Sequence, residues 1–451
     1  MFKSADAMIV SAKMQSLPGI CDQKRPRPFD SAAFLRARVA LRSKIDNHTA
    51  IDISSRRYQI NNLGLSPNLR IALVLVAALL AFQPVNAHAQ FQTKAQYAFL
   101  MDVDTGAVLF QKNADERMAP ASMSKLMTLA VVFRAIKEQQ LRPDDKFLVS
   151  ENAWRTGGAP SGTSAMFIKL GSSVALSELI QGIIVQSGND ACIAIAEGMT
   201  GSEDEFARIM TQQARRLGLT QSTFGNSTGL PHPDQLMTAR EVAKLSVHII
   251  KEYPEYYRYF AQKKYEYGKH RFYNRNPLVY LDIGIDGLKT GYTRASGYGI
   301  VASGIRRGRR LVLVVNGLKS KRERKEEARK LYDWGVKGFK EFRLFESGEV
   351  VGEARVWGGS QFYVPLVGRG PVRVLLPRFS STRGKLKVTV VYKGPLKPPI
   401  RRGQQVATLR VSASDESTSE VPLYAADDVH QGSIVARGLD SLLHLAFGWI
   451  L

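Results

Sequence analysis

Pro120-Ala121-Ser122-Met123-Ser124-Lys125-Leu126-Met127-Thr128 reads as the opening of a helix. Proline suits the first helical turn, where its missing N–H would have no intrahelical partner. Positions three apart share a helix face, so Ser122 and Lys125 point the same way. A hydroxyl beside an amine is the smallest kit for a serine nucleophile with lysine as its base. Alone the pair is weak: Ser-x-x-Lys arises by chance about once or twice in a chain of this length. An ordinary helix start with a solvated lysine would look the same.

Two later stretches answer it. Ser187-Gly188-Asn189 follows an apolar, helix-like run over 179–186, and Gly188 marks a sharp turn. Lys289-Thr290-Gly291 is preceded by Asp286-Gly287-Leu288 and followed by Tyr292-Thr293, then by a strand-like run over 297–303. Ser-x-x-Lys, Ser-x-Asn and Lys-Thr-Gly, in this order, are the motif set of penicillin-binding proteins and class A β-lactamases. Asn226-Ser227-Thr228-Gly229-Leu230 and Thr238-Ala239-Arg240-Glu241 extend the likeness. The chain resembles the low-molecular-mass penicillin-binding proteins that act as serine-type D-alanyl-D-alanine carboxypeptidases. The likeness spans residues 91–340, and the C-terminal part fits that family's appended β domain.

Ser122 must lose a proton to attack a carbonyl, and Lys125 is the nearest base. An ordinary lysine titrates near 10.4, so holding it neutral at pH 7 costs about 4.6 kcal/mol. Burial and a second positive charge must supply that shift, and Lys289 is the candidate charge. The resemblance places Lys289 beside Ser187, facing Lys125. Ser122 is then the acyl-enzyme nucleophile, Lys125 the general base, and Ser187 with Lys289 the relay to the departing amine. Asn189 has both donor and acceptor groups, so it can hold the substrate's peptide bond and steer Lys125. By resemblance the oxyanion hole is the backbone N–H of Ser122 and of Tyr292. Lys289, Thr290, Gly291 and Tyr292 are assigned to substrate binding, the Thr290 hydroxyl being available to a free carboxylate. Arg324 matches the family's carboxylate-binding arginine, although Lys319, Lys321, Arg322 and Lys325 crowd it and a solvated arginine is the plain alternative. Tyr292 stands where many relatives carry histidine. The loop over 157–162 is expected to border the cleft.

The flanks suggest export. Residues 1–70 are polar, basic and poorly patterned, and are expected to be disordered or to precede the true start. Arg70, the apolar run 71–82 and Ala87-His88-Ala89 have the anatomy of a secretory signal peptide over 71–89, cleaved before Gln90. A membrane span would need about 20 apolar residues. Cys21 would leave with that leader, so Cys192 would stand alone as a small buried hydrophobe. From 433 to 451 Val435, Leu439, Leu442, Leu443, Ala446 and Ile450 form one stripe, with Arg437, Asp440 and His444 opposite. That moment suits a helix lying in a membrane interface, or one docked on the β domain. The protein is expected in the periplasm, attached peripherally to the outer face of the cytoplasmic membrane.

Length and composition allow two or three domains: 451 residues, 44% apolar and 23% charged. The net charge of +23 attracts anions such as lipid or an acidic wall polymer. No nucleic-acid motif accompanies it, and nucleic acid is not expected as a partner. The histidines lack metal-ligand spacing, and no metal or cofactor is expected. The fold class is α+β. Early strands (97–112), a helical middle (to 138, then 176–186, 190–198, 203–217 and 238–251) and late strands (297–303, 311–318) suggest one sheet built from both ends of the domain, with a helical insert. The resemblance implies that the sheet is antiparallel and flanked by helices; 325–339 reads as a closing helix, and 341–425 reads as a small all-β domain.

Peptidoglycan stem peptides ending in D-Ala-D-Ala are the expected substrate, and β-lactams the expected covalent inhibitors. Three other readings share parts of this pattern. A β-lactamase needs efficient deacylation, and no acidic Glu-x-x-Leu-Asn loop lies between Asn189 and Lys289. A non-catalytic penicillin-binding wall protein has no need of the full set Ser122, Lys125, Ser187, Asn189 and Lys289. A DD-endopeptidase shares the motifs, and the sequence does not separate it.

Overall fold

The computed structural model describes residues 10–11, 91–378, 387–412, 418–433 and 438. The extension and signal peptide expected over 1–89 lie outside them but for Val10 and Ser11, and the helix expected over 433–451 but for Ser433 and Gly438.

Five antiparallel strands organise the first domain: β1 (Tyr97–Asp102), β2 (Val108–Lys112), β3 (Ile285–Thr293), β4 (Gly297–Arg306) and β5 (Arg309–Leu318). Their spatial order is β2-β1-β5-β4-β3, so the two ends of the domain meet at the β1–β5 pairing. This is the sheet expected from early and late strands. Its central strands read as unbroken apolar runs because both faces are covered. Val312 and Val314 enter one core with Phe99, Met127, Phe133 and Leu245. Leu311, Leu313 and Val315 enter the other with Leu100, Leu331 and Val336. The period-two alternation of a strand sorts neighbours onto opposite faces.

The helices longer than ten residues are α1 (Lys125–Lys137), α2 (Asn189–Thr200), α3 (Glu203–Arg216), α4 (Ala239–Glu252) and α5 (Lys321–Gly338). Every residue of α1 from Lys125 to Phe133 is buried, as befits a helix inside a domain. Ser202, Thr238 and Ser320 cap α3, α4 and α5 by accepting from the N–H three residues on, each time a glutamate. This is the Ser/Thr-x-x-Glu signature of a helix start. It places the start of the closing helix at Lys321, four residues before the expected 325.

Phe339–Phe345 and Val372–Pro377 form one strand pair of the following all-β region. Val350–Arg355, Tyr363–Val367, Lys387–Val391, Gln405–Ser412 and Thr418–Ala425 make the rest, around a core that includes Val364, Leu366, Leu409 and Leu423. One pairing, Thr418 with Val108, joins it to the first sheet. Among the described residues no helix is long and apolar enough to cross a membrane.

Candidate active site

Ser122 sits in a tight 3-10 turn, Ala121–Ser124, that feeds directly into α1. The sequence suggested a helix from the proline onward; the turn is tighter, and Ala121 adopts a left-handed φ of 48°. Non-glycine residues in that region are strained and cluster at functional sites. Ser187 does the same, with φ 66°, after the turn Gly182–Gln186. It reverses the chain so that Asn189 starts α2 beside Lys125.

Lys125 is wholly buried. Its Nζ donates to Ser122 Oγ at 3.0 Å, to Asn189 Oδ1 at 2.7 Å and to the Thr228 carbonyl. An ammonium has three donors, and all three are used. Asn189 is fixed in turn: its Nδ2 donates to Thr163 Oγ1 at 2.9 Å and its backbone N to the Ser164 carbonyl at 2.7 Å. The loop that ends at Gly162 therefore leads straight to Asn189. Asn226 Oδ1 accepts from Thr228 N, Thr228 Oγ1 and Gly229 N, which holds the Thr228 carbonyl in place.

Lys289, Thr290, Gly291 and Tyr292 lie on β3 itself, not in a loop before the strand. A Cβ on Gly291 would stand 2.8 Å from the Pro120 carbonyl and 3.1 Å from Ala121 Cβ. The strand thus packs directly on the turn that presents Ser122. Lys289 and Thr290 are buried, Tyr292 is exposed, and Lys289 Nζ donates to the Thr290 carbonyl at 3.2 Å. Ser187 is buried too.

The pattern of the D-alanyl-D-alanine carboxypeptidase family matches residues 83–320, and that of the penicillin-binding protein 5 C-terminal domain matches 339–431. The chain belongs to the D-alanyl-D-alanine carboxypeptidase family. It is 36% identical to D-alanyl-D-alanine carboxypeptidase DacC of Escherichia coli (strain K12), over 78% of this chain and 88% of that one. Penicillin binding protein 5 of Haemophilus influenzae superposes with a TM-score of 0.63 at 32% identity, over 76% of this chain and 99% of that one. Penicillin-binding protein D2 of Listeria monocytogenes, in its ampicillin-bound form, gives 0.50 at 26%, over 55% and 99%.

In this carboxypeptidase-family site the electrostatics bring in one group beyond those read from the sequence. Burial pulls Lys125 down to about 8; Arg275 pushes the same way, and Glu203 and Asp190 oppose it. Arg275 is a positive charge bearing on Lys125 in addition to Lys289, whose repulsion with Lys125 is mutual. Lys289 is itself held well below the ordinary lysine range, by burial first and then by Lys125 and Arg275. Like charges disfavour each other's charged form. Three acceptors favour the charged form of Lys125, so the downward push falls more heavily on Lys289.

Arg275 carried no sequence signal, since a lone loop arginine has no spacing to betray it. Asn274 and Asn276 accept from backbone N–H groups two residues on and fix the loop. Arg275 Nη1 donates to Ser164 Oγ at 2.6 Å. Arg324 is buried rather than solvated, with 8% of its surface exposed. Cys192 is free and buried in α2, and burial pushes its thiol up to about 12.

Proposed function

We infer that the protein is a serine-type D-Ala-D-Ala carboxypeptidase that removes the terminal D-alanine of peptidoglycan stem peptides through an acyl-enzyme on Ser122. The observation that carries this reading is the Ser122–Lys125–Asn189 hydrogen-bonded set, closed off by β3. With Lys125 near 8, its neutral form costs only about 1.4 kcal/mol at pH 7. Neutral Lys125 takes the Ser122 proton as Oγ attacks the carbonyl of the penultimate D-Ala. The oxyanion falls to the N–H groups of Ser122 and Tyr292. The proton passes through Ser187 and Lys289 to the departing amine, the C–N bond breaks, and D-alanine leaves. Water then hydrolyses the ester and frees Ser122.

Thr290 and Arg324 supply the carboxylate contacts that make the enzyme a carboxypeptidase. β-Lactams carry a carboxylate beside a strained amide and acylate the same serine; an ampicillin-bound relative of the same fold supports this. Residues 71–89 direct export, and the amphipathic pattern over 433–451 attaches the enzyme to the outer face of the cytoplasmic membrane. D-Alanine release from a peptide ending in D-Ala-D-Ala, by the chain from Gln90 and its Ser122→Ala variant side by side, tests the reading. Release that vanishes in the variant is expected. No release from folded wild type, with cleavage of cross-linked dimers instead, would make it an endopeptidase.

A further inference from the structure

Tyr298 does not belong to any of the motifs, yet its ring meets two groups of the site. Its cross-strand partner in the β3–β4 hairpin is Tyr292, and the two rings stack with centroids 4.2 Å apart and planes at 28°. The Arg324 guanidinium lies 5.8 Å from the Tyr298 ring centroid. We propose that Tyr298 is a positioning residue for carboxylate recognition, its ring holding the Arg324 guanidinium and tying it through Tyr292 to the strand of Lys289 and Thr290. The inference rests on the carboxypeptidase reading and on Arg324 meeting the substrate's free carboxylate.

The state of Arg324 requires such support. It is nearly buried, and its Nε has no hydrogen-bond partner. Burial pulls its pKa down to about 10, Tyr298 acting against the shift and Arg275 with it. A buried cation without an anion is costly. The negative face of an aromatic ring offers compensation without using any donor. Guanidinium N–H groups lie in the plane of the group, so contact with a ring face leaves them free for a two-pronged carboxylate contact. A carboxylate of the protein in the same place would consume those donors. An aromatic ring keeps Arg324 charged and still available.

The ring's own position is set from both sides of the sheet. Thr293 N donates to Ser296 Oγ and Ser296 N to Thr293 Oγ1, both at 3.0 Å, which closes the hairpin and fixes the Tyr292–Tyr298 register. On β5, Tyr298 pairs with Leu318, just before the cap of α5. Ser320 Oγ accepts from Glu323 N and its carbonyl from Arg324 N, so Arg324 leaves the first turn of α5 at a defined angle.

The test compares two substrates that react at the same carbonyl. One is a peptide ending in D-Ala-D-Ala; the other is the acyl-D-Ala methyl ester, which has no carboxylate in its leaving group. In Tyr298→Ala the peptide-to-ester ratio of kcat/KM is expected to fall about tenfold, through the peptide's KM. Tyr298→Phe restores it, because the ring and not the hydroxyl holds the cation. Tyr298→Leu keeps bulk without a π face and should behave as alanine does; retained ester turnover reports that it is folded. Equal losses on both substrates would reduce Tyr298 to a structural role and overturn the proposal, as would an unchanged ratio in the leucine variant. Arg324→Ala separates the two levels. If it leaves the ratio unchanged, the carboxylate role of Arg324 fails; if it lowers the ratio while Tyr298→Leu does not, only the positioning role fails.

Discussion

Lys125 Nζ and Asn189 Oδ1 lie 2.7 Å apart, inside a site from which water is excluded around the amine. The contact joins the serine turn to the helix that follows Ser187, and it makes the charge of Lys125 answerable to the group at position 189. Replacing the amide by a carboxylate, Asn189→Asp, keeps the shape and adds an opposite charge. That raises the Lys125 pKa by about 1–3 units. Acylation by a β-lactam, followed from pH 6 to 10, should show its acid limb moved upward and a rate at pH 7 lower by about tenfold or more. An acid limb that stays in place would count against Lys125 as the base.

Wild type carries a pH signature of its own. With Lys125 near 8, kcat/KM should rise about tenfold per pH unit toward pH 8 and then level. Stability follows the same group. Its folded pKa is depressed below the unfolded value near 10.4, so the unfolded chain binds more protons between about 8 and 10.4. Stability from this group therefore rises with pH across that window, by about 3 kcal/mol in all, and Lys289 adds in the same direction. Urea melts of wild type and Lys125→Met at pH 7.5 and pH 10 check the sign: wild type should gain on the variant as pH rises.

Gly291 permits β3 to touch the serine turn. Gly291→Ala places a methyl 2.8 Å from the Pro120 carbonyl, where backbone must yield by a few tenths of an ångström. Overpacking of this kind costs about 1–3 kcal/mol of stability. The displacement between nucleophile and strand should cost more in rate, about a hundredfold in kcat. A variant as active as wild type would show that the approach of β3 to Ser122 does not set the reaction geometry.

Asp190 holds the segment next to the cleft. Its buried carboxylate accepts from Met166 N, Ile168 N and Ala191 N at 2.8–3.2 Å. Asp190→Ala leaves those N–H groups without a partner and should destabilise the fold by about 3 kcal/mol or more. Hydrogen exchange should then speed up at Met166 and Ile168 ahead of the β-sheet amides. Uniform loss of protection would mean that the carboxylate serves the whole domain rather than this segment.

How far the chain could be read unaided differs from residue to residue. The meeting of Ser122, Lys125 and Asn189 was legible because short-range geometry ties chemistry to spacing: three residues make a helix face, and a glycine makes a turn. The sheet was legible because β1, β4 and β5 are continuous apolar runs, whereas the start of α5 was not, since its capping Ser320 stands among basic residues with no apolar pattern. The strand character of Lys289–Tyr292 was hidden, since a Lys-Thr-Gly segment with charge and glycine carries no strand pattern of its own; its pairing with β4 supplies it.

Protonation and burial were decided by the tertiary structure alone. Lys125 rests near 8 because α1 is buried on every side and Arg275, 150 residues later, pushes on it. Lys289 is held well below the ordinary lysine range because it is buried and Lys125 and Arg275 repel its charge. Arg324 reads as one of five basic residues in a row of solvated neighbours, yet it is the one turned onto Tyr298 and away from water. Sequence determines which groups are present and which local turns present them. Desolvation and the field of distant charges depend on through-space separation, and only the packed chain sets that.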